Sequence, residues 1–232
     1  PIPEEPGMSI FVCGDIHGTF DINKLDPFIG RNELSEKDYL IICGDTGICG
    51  FSKDEEAKTR NYLRKLPMTI LFCDGNHERF DTLNSYPIDE WHGGKVHMIE
   101  PGIIHLIRGQ IYKIENKTFF VFGGAYSIDR LGRKLGETWF QEELPSEEEY
   151  EAGWKNLKAH DYTVDYMITH TAPYKVICAL GYEIYGEALG QVRFFQNIAE
   201  RVTFREWYFG HFHEDTDLGH YHCRIDKVTQ LA

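Results

Sequence analysis

Three short apolar runs alternate with polar segments in the first third of the chain. Residues 9–13, 39–43 and 68–72 are apolar with several β-branched side chains, and each run is followed within two residues by Gly or Asp. Between the second and third runs, residues 53–65 are polar with a sparse apolar stripe and stop before Pro67, which is typical of a surface helix. A spacing of about 30 residues between strand ends is that of βαβ units. The pattern therefore predicts a parallel sheet with crossover helices.

A different pattern begins at residue 95. Short apolar runs between Pro-Gly, Arg-Gly and Glu-Asn turns are typical of hairpins, and we expect a β-meander. The strands predicted for this meander are 96–98, 103–107, 110–114 and 118–122. Ser146 and Glu149 have the spacing of a capping box, which predicts a helix that begins in an acidic, solvated run and ends near His160. The other predicted elements are strands at 165–169 and 207–209 and a helix over 191–201.

Composition limits the class of protein. With 232 residues, of which 42% are hydrophobic, the chain can bury a full core, and we expect one domain over residues 8–232. Residues 1–7 contain three prolines and two acids, and we expect them to be an extension or a remnant of expression. The net charge of −13 argues against binding to long nucleic acids or to anionic membranes.

Hydropathy and cysteine content indicate the compartment. No apolar run reaches the length of a transmembrane helix, and the N-terminus lacks the pattern of a signal peptide, so we expect a cytoplasmic protein. The six cysteines form no CxxC pair. In a chain of this length they do not indicate a disulfide framework, and we expect all of them to fill space in the core.

Polar residues follow the predicted strands at the point where each strand ends. The five segments concerned are Asp15-x-His17, Gly44-Asp45, Gly75-Asn76-His77, Thr169-His170 and Gly210-His211-x-His213. Because ligands bind at the carboxyl ends of strands in open α/β sheets, these segments can converge. Each segment alone is a weak signal, but the ordered set predicts one site. Its donors are oxygen and nitrogen atoms, which suit Mn²⁺, Fe or Zn²⁺ and leave no role for thiolates.

This ordered set resembles the calcineurin-like metallophosphoesterase superfamily over residues 13–213. The resemblance implies an α/β fold, namely an αββα four-layer sandwich with two central mixed β-sheets flanked by helices. It also implies two divalent metal ions, Mn²⁺, Fe or Zn²⁺, bridged by Asp45 and a hydroxide. The implied ligands of the first ion are Asp15, His17, Asp45 and His213. Those of the second ion are Asp45, Asn76, His170 and His211. His77 resembles the catalytic histidine of the superfamily, which contacts a phosphoryl oxygen and can protonate the leaving group.

Two positions depart from the serine/threonine protein phosphatase branch of the superfamily. That branch has an aspartate that orients the catalytic histidine and an arginine that binds phosphate, where this chain has Ile48 and Cys49. We therefore do not expect protein phosphatase activity of that type. Glu78 is a candidate for orienting a histidine, with a plain surface carboxylate as the alternative. The candidate substrate-binding residues, each with a solvated arginine as the alternative, are Arg79, Arg130 and Arg133.

Several histidines lie outside the predicted site. Residues 219–222 repeat the Gly-His-x-His pattern after a polar turn, and we expect them to form part of a hairpin. The histidines that match no motif, and for which we expect structural roles, are His92, His97, His105 and His160.

The sequence thus predicts a dimetal phosphoesterase that attacks small phosphorylated substrates with a metal-bridging hydroxide. Phosphomonoesters are the first expected substrate class. One alternative is a phosphodiesterase acting on nucleotides or short oligonucleotides. Another is a metal-binding scaffold without turnover, against which the complete ligand set and His77 argue.

Overall fold

The computed structural model describes residues 7–232, so all but one of the residues predicted as an extension lie outside the described part. The strands are β1 (Ile10–Cys13), β2 (Tyr39–Ile42), β3 (Thr69–Phe72), β4 (Ile88–Trp91), β5 (Gly94–Glu100), β6 (Ile103–Leu106), β7 (Gln110–Ile114), β8 (Lys117–Phe122), β9 (Tyr166–Thr169), β10 (Glu206–Phe209), β11 (Thr216–Leu218), β12 (Tyr221–Cys223) and β13 (Thr229–Gln230). The α-helices are α1 (Asp26–Ile29), α2 (Lys53–Leu63), α3 (Phe80–Leu83), α4 (Glu147–Ala159), α5 (Tyr174–Leu180) and α6 (Leu189–Arg201).

The first sheet has seven strands in the order β13-β1-β2-β3-β6-β5-β4. β1, β2 and β3 are parallel, with Val12 opposite Ile41 and Ile41 opposite Leu71, as the sequence predicts. Helix α2 connects β2 to β3 and begins where Ser52 accepts a hydrogen bond from the backbone N of Glu55. The carboxyl ends of the three parallel strands therefore lie side by side at one edge of the sheet.

The second sheet has six strands in the order β11-β12-β10-β9-β8-β7. The prediction of a single meander is wrong, because β5 and β6 pair in the first sheet whereas β7 and β8 pair in the second. The chain crosses between the sheets at Arg108 and Gly109. Gly109 has a φ of 74°, and a side chain there would lie 2.9 Å from the backbone of Gly153 in α4. Turn signals in the sequence locate hairpins, but they do not indicate which sheet a hairpin joins.

Alternating side chains of each sheet face two different layers. In β1, Ile10 and Val12 pack toward the second sheet, whereas Phe11 and Cys13 pack toward the helices on the outer face. A third apolar cluster joins the outer face of the second sheet to α4, α5 and α6. The resulting order of helices, sheet, sheet and helices is the αββα sandwich expected from the sequence.

Other local predictions can be compared with the structure directly. The capping box of α4 is present, with Ser146 accepting from Glu149 N at 3.3 Å and Glu149 accepting from Ser146 N at 2.8 Å. Residues 219–222 lie in the hairpin of β11 and β12, as predicted. Five cysteines are buried, but Cys178 is exposed, so the expectation of core filling is wrong for that residue. Within residues 7–232, no helix is both long enough and apolar enough to cross a membrane.

Candidate metal centre

Loops from both sheets meet at one edge of the sandwich. The loops after β1, β2 and β3 of the first sheet carry Asp15, His17, Asp45, Asn76 and His77. The loops after β9 and β10 of the second sheet carry His170, His211 and His213. Contacts link these residues into one cluster, although Asp15 and His211 are 196 positions apart in the sequence. The structure therefore brings together every predicted metal ligand and the predicted catalytic histidine.

Asp15, His17 and His213 form a first group of donors. His213 Nε2 lies 3.1 Å from Asp15 Oδ2, and His17 Nε2 lies 3.7 Å from the same oxygen. His17 Nδ1 lies 3.0 Å from Asp21 Oδ2, so Nε2 is the nitrogen that faces the group. The rings of His17 and His213 meet edge to face with centroids 4.7 Å apart. One donor atom from each residue lies within 4.8 Å of the others, which is close enough to hold one ion.

Asp45, Asn76 and His170 form a second group, with His211 beside them. His170 Nε2 lies 3.5 Å from Asp45 Oδ2 and 3.0 Å from Asn76 Oδ1. The ring centroid of His211 is 5.0 Å from that of His170. Asp45 Oδ2 is also 4.0 Å from His17 Nε2. Asp45 therefore links the second group to the first, and so does Asp15, whose Oδ1 lies 3.8 Å from His170 Nδ1.

The backbone of the site is strained at several of the predicted ligands. Positive φ angles occur at His17 (37°), Asp45 (47°), His211 (69°) and His213 (52°). Such a conformation costs a residue other than glycine about 1–3 kcal/mol, which the surrounding structure must offset. Strain of this kind is concentrated at functional sites. The sequence gives no signal for it.

Glycines allow the two carboxylates to lie directly against neighbouring backbone. A Cβ atom on Gly210 would lie 1.9 Å from Asp15 Oδ1, and one on Gly75 would lie 2.0 Å from Asp45 Oδ1. The close approach lets the backbone N of His77 donate a hydrogen bond to Asp45 Oδ1 at 2.7 Å. The glycines in the strand-end segments are therefore part of the site, because any side chain would displace a carboxylate.

The buried charges in the cluster shift one another's ionisation. Burial raises the pKa of Asp45, but the charge and hydrogen bond of His170 outweigh burial and hold that pKa well below its usual range. Burial lowers the pKa of His170, but the carboxylates of Asp45 and Asp15 raise it to about 10. Burial and the charge of His170 lower the pKa of His211 to about 3. The carboxylates thus require positive charge beside them, which a protonated imidazole or a metal ion can supply.

A buried chain of hydrogen bonds, which the sequence did not reveal, orients Asn76. Its Nδ2 donates to Ser127 Oγ at 3.0 Å, and the Ser127 hydroxyl donates to Glu143 Oε2 at 2.7 Å. Arg133 Nη1 also donates to Ser127 Oγ, at 3.0 Å. Because the amide nitrogen is held in this way, Asn76 Oδ1 faces His170. Glu143 is fully buried, so the expectation that the whole acidic run before α4 is solvated is wrong.

The three candidate substrate-binding arginines all have protein partners. Arg79 Nε donates to Asp81 Oδ1 at 2.9 Å on the surface. Arg130 Nη1 donates to Glu187 Oε2 at 2.6 Å, and Arg133 donates to the serine described above. None of these three arginines is among the described residues that line the two clefts beside the cluster.

Glu78 contacts a threonine in the structure. Glu78 Oε1 accepts hydrogen bonds from Thr46 N at 2.9 Å and from Thr46 Oγ1 at 3.1 Å. Burial raises the pKa of Glu78 to about 8. Both readings offered by the sequence, a histidine partner and a surface carboxylate, are therefore wrong, since this buried group holds the loop that carries Asp45.

The other histidines also have partners within the described residues. His97 and His105 are buried with their Nδ1 atoms 3.0 Å apart, and His222 Nε2 lies 2.7 Å from Glu206 Oε2. His92 Nδ1 and His160 Nδ1 lie 2.9 and 3.0 Å from backbone carbonyl oxygens. These contacts agree with the structural roles expected from the sequence.

Two clefts flank the cluster. The larger has a volume of about 640 Å³, and its lining includes Asp45, Asn76, His77, His211 and His213. The smaller has a volume of about 240 Å³, and its lining includes His17, Asp45 and His77. Asp45 and His77 therefore lie where the two clefts meet.

Solved structures similar to this chain have low sequence identity to it. One is a "Putative 5'-Nucleotidase" from Staphylococcus aureus, with 14% identity and a TM-score of 0.50, for which the match covers 94% of this chain and 48% of that chain. Another is the phosphopantetheinyl hydrolase from Mycobacterium tuberculosis, with 15% identity, a TM-score of 0.47 and coverage of 93% and 87%. This chain thus spans about half the length of the staphylococcal protein, and at these identities the likeness concerns the fold alone.

Comparison with protein-family profiles shows which family the chain belongs to. Comparison with curated protein sequences gives no significant match. The calcineurin-like phosphoesterase profile matches residues 8–215, which include all the residues of the cluster. Because this match extends over most of the sequence and the two-sheet fold agrees with it, the chain belongs to the calcineurin-like phosphoesterase family.

Proposed function

We propose that this protein hydrolyses small phosphate esters with the help of two divalent metal ions. The observation that supports the proposal most is the convergence of oxygen and nitrogen donors from five strand ends on one cluster, in a chain of this family. Carboxylate, amide and imidazole donors suit Mn²⁺, Fe or Zn²⁺. When bound, two such ions activate a water for attack and neutralise the phosphoryl oxygens.

The donors divide into two ligand sets that share one carboxylate. The first set would contain Asp15, His17, Asp45 and His213. The second set would contain Asp45, Asn76, His170 and His211. The distances from Asp45 Oδ2 to the first and second groups, 4.0 Å to His17 Nε2 and 3.5 Å to His170 Nε2, support its role as the shared ligand.

His77 is the proposed general acid. Its backbone N is fixed by the hydrogen bond to Asp45, and the residue lines both clefts. A leaving group in either cleft therefore lies next to the imidazole. A ring nitrogen of His77 would donate a proton to the ester oxygen as the P–O bond breaks, which typically contributes a factor of about 10²–10⁴ in rate.

The charge of the substrate must be balanced mainly by the ions. Among the described residues that line the two clefts, none is Lys or Arg, whereas both clefts contain carboxylates. A phosphate dianion is therefore repelled unless the ions are in place. Chelation of the ions should abolish both substrate binding and hydrolysis.

We propose phosphomonoesters as the first substrate class, because one cleft is much larger than the other. A volume of about 640 Å³ accommodates one sizeable organic group beside the cluster. Phosphodiesters are the second candidate. The smaller cleft favours them, since its 240 Å³ lies on the other side of Asp45 and His77 and could hold a second ester group.

The experiment that tests this proposal combines metal counting with two substrates. After loading with Mn²⁺, calorimetry should give two ions per chain, and p-nitrophenyl phosphate should be hydrolysed faster than bis(p-nitrophenyl) phosphate. Asp45→Asn should lose tight binding of both ions and hydrolysis, because it removes the shared ligand. Asp54→Asn, at the exposed start of α2, is the matched control and should change neither.

Each other outcome has a definite meaning. One ion per chain would contradict the two-ion centre. Two tightly bound ions without hydrolysis of either ester would contradict the enzyme and support the metal-binding scaffold. Faster hydrolysis of the diester would reverse the order of the two substrate classes.

A further inference from the structure

The larger cleft extends away from the metal centre between two loops. One wall is formed by residues 126–129, which follow β8, and the other by residues 181–188, which follow α5. The walls meet where Tyr126 and Tyr185 stack with ring centroids 5.6 Å apart and an interplanar angle of 22°. The cleft therefore has an aromatic wall that begins at the metal ligands and continues outward.

A second aromatic pair lies closer to the metal centre. Tyr182 packs against Phe212 with centroids 4.8 Å apart, and its hydroxyl donates to the backbone O of Phe212 at 3.0 Å. In the sequence, Phe212 lies between two of the predicted ligands, His211 and His213. The wall formed by residues 181–188 is therefore tied directly to the loop that carries those ligands.

The outer aromatic pair is also held in place. The guanidinium of Arg130 covers the ring of Tyr126 at 4.6 Å from the centroid. The same side chain pairs with Glu187 of the opposite wall, with Nη1 2.6 Å from Oε2. A candidate phosphate-binding arginine thus braces the cleft, and a cleft formed in advance of binding loses less entropy when a ligand enters.

The charges of the cleft select against a second phosphate group. Glu183 and Asp129 line it, with Asp129 Oδ1 3.3 Å from Arg133 Nη1, and among its described lining residues none is Lys or Arg. Carboxylates repel a further phosphate, but they accept hydrogen bonds from hydroxyl and amino groups. Ile128, Ile184 and Val192 supply apolar surface between the rings and the acids. An uncharged, flat group with polar edges fits this lining.

We infer that the cleft binds the leaving group of the substrate, and that this group is a planar aromatic or heteroaromatic one carrying a single phosphoryl group. The inference rests on the proposed function and specifies its substrate class. Because Arg130 and Tyr185 pack on the ring of Tyr126, the rings available to stack on a planar ligand are those of Tyr182 and Tyr185, which are 42% and 44% exposed. The acidic lining admits one phosphoryl group, at the metal centre, and disfavours a chain of them. A nucleoside monophosphate has these properties. A sugar phosphate lacks the aromatic ring, and a nucleoside diphosphate carries a second phosphoryl group.

Adenosine 5'-monophosphate and ribose 5-phosphate provide a matched pair of substrates. They share the phosphoryl group and the 5'-oxygen of the leaving group, and they differ in the base. With the Mn²⁺-loaded protein, kcat/KM should be about 10- to 100-fold higher for the nucleotide, the range expected for stacking of one base. Adenosine should inhibit hydrolysis of ribose 5-phosphate competitively, whereas ribose at the same concentration should not.

The outcomes of this comparison are distinguishable. Equal kcat/KM values for the two substrates, or absence of inhibition by adenosine, would overturn the inference and leave the proposed function intact. Hydrolysis of neither substrate nor of p-nitrophenyl phosphate would overturn the proposed function, and the inference with it.

Variants locate the effect in the cleft. Tyr185 is 44% exposed, so Tyr185→Ala leaves the core intact. It should lower kcat/KM for the nucleotide about tenfold and leave ribose 5-phosphate unchanged, whereas Tyr185→Phe should retain the wild-type ratio. Tyr162→Ala removes a tyrosine that is 38% exposed before β9, at the end opposite the metal centre, and should change neither value. An equal loss with both substrates in Tyr185→Ala would overturn the assignment.

A second variant tests the charge of the cleft. Glu183→Gln should raise kcat/KM for adenosine diphosphate relative to the monophosphate by a factor of about 3, because a repulsive carboxylate is removed. Wild-type protein should prefer the monophosphate. Preference of the wild type for the diphosphate, or an unchanged ratio in Glu183→Gln, would overturn the single-phosphoryl part of the inference.

Discussion

The hydrogen bonds of Ser127 allow a sharp test of how the metal centre is organised. The Ser127 hydroxyl accepts from Asn76 Nδ2 and Arg133 Nη1, both at 3.0 Å, and donates to Glu143 Oε2 at 2.7 Å. Ser127→Ala removes all three contacts without adding volume. The amide of Asn76 is then free to turn, so that its oxygen no longer has to face His170.

The size of the effect follows from these contacts. The contacts with Glu143 and Arg133 involve charged groups, which contribute about 1.5–3 kcal/mol each, and the contact with Asn76 is neutral and contributes about 0.5–1.5 kcal/mol. We therefore expect the free energy of unfolding to fall by at most about 3.5–7.5 kcal/mol. Loss of a residue that orients a ligand typically lowers metal affinity about 10- to 100-fold. We expect a loss in this range for the ion held by Asn76 and His170. The ion held by Asp15, His17 and His213 should change by less than about threefold, because none of these ligands contacts Ser127.

The assay is titration of the metal-free protein with Mn²⁺, with the two binding steps resolved by calorimetry or by a competing chelator. Urea unfolding measures stability in the same samples. Ser85→Ala is the matched control, since Ser85 is exposed and its hydroxyl donates to the backbone O of Thr82, which is not a predicted ligand. Equal losses of affinity at both ions would refute the reasoning. So would unchanged affinities at both ions in a variant that has lost the expected stability.

Three further predictions follow from other contacts. His77→Ala should retain both ions, but its kcat should fall by a factor of about 10²–10⁴. The loss should be smaller for p-nitrophenyl phosphate than for an alkyl phosphate, because an alkoxide leaving group needs the proton more, and equal losses would argue against proton donation. Gly75→Ala should abolish binding of both ions, because its Cβ would lie 2.0 Å from Asp45 Oδ1, whereas Gly132→Ala, with no atom within 4 Å, should bind as wild type. Burial lowers the pKa of His97 to about 4, below its value near 6.5 in the unfolded chain, so protonation of the unfolded state destabilises the fold as pH falls from 6.5 to 4. His97→Gln should therefore lose less stability than wild type between pH 7 and pH 5 in urea unfolding, and equal losses would contradict this cause.

The convergence of the predicted ligands could be foreseen from the sequence because their positions are marked locally. Asp45, Asn76 and His211 each follow a glycine at the end of an apolar run, and the parallel arrangement of such runs places their ends at one edge. The structure explains the marking, since Gly75 and Gly210 leave no room for a side chain beside the carboxylates. At these positions the glycine that marks the site in the sequence is also the residue that the packing of the fold requires.

The rest of the site depends on contacts between distant loops. Ser127 lies 51 positions from Asn76, and Arg130 lies 57 positions from Glu187. No periodicity or spacing links such residues, because their meeting depends on how the loops pack after the sheets have formed. For the same reason the sequence predicts the hairpin over 110–122 correctly but wrongly joins it to the preceding strands in one meander.

The division of the ligands between the two sheets has a thermodynamic consequence. The first sheet supplies Asp15, His17, Asp45 and Asn76, and the second supplies His170, His211 and His213. An ion that takes ligands from both sheets binds only when the sheets are docked, so metal binding and docking are linked equilibria. At a free ion concentration 100 times its Kd, one such ion adds about 2.7 kcal/mol to the stability of the docked state. The proposed metal centre would thus be a reversible cross-link between the sheets, and the melting temperature should rise with the concentration of free Mn²⁺.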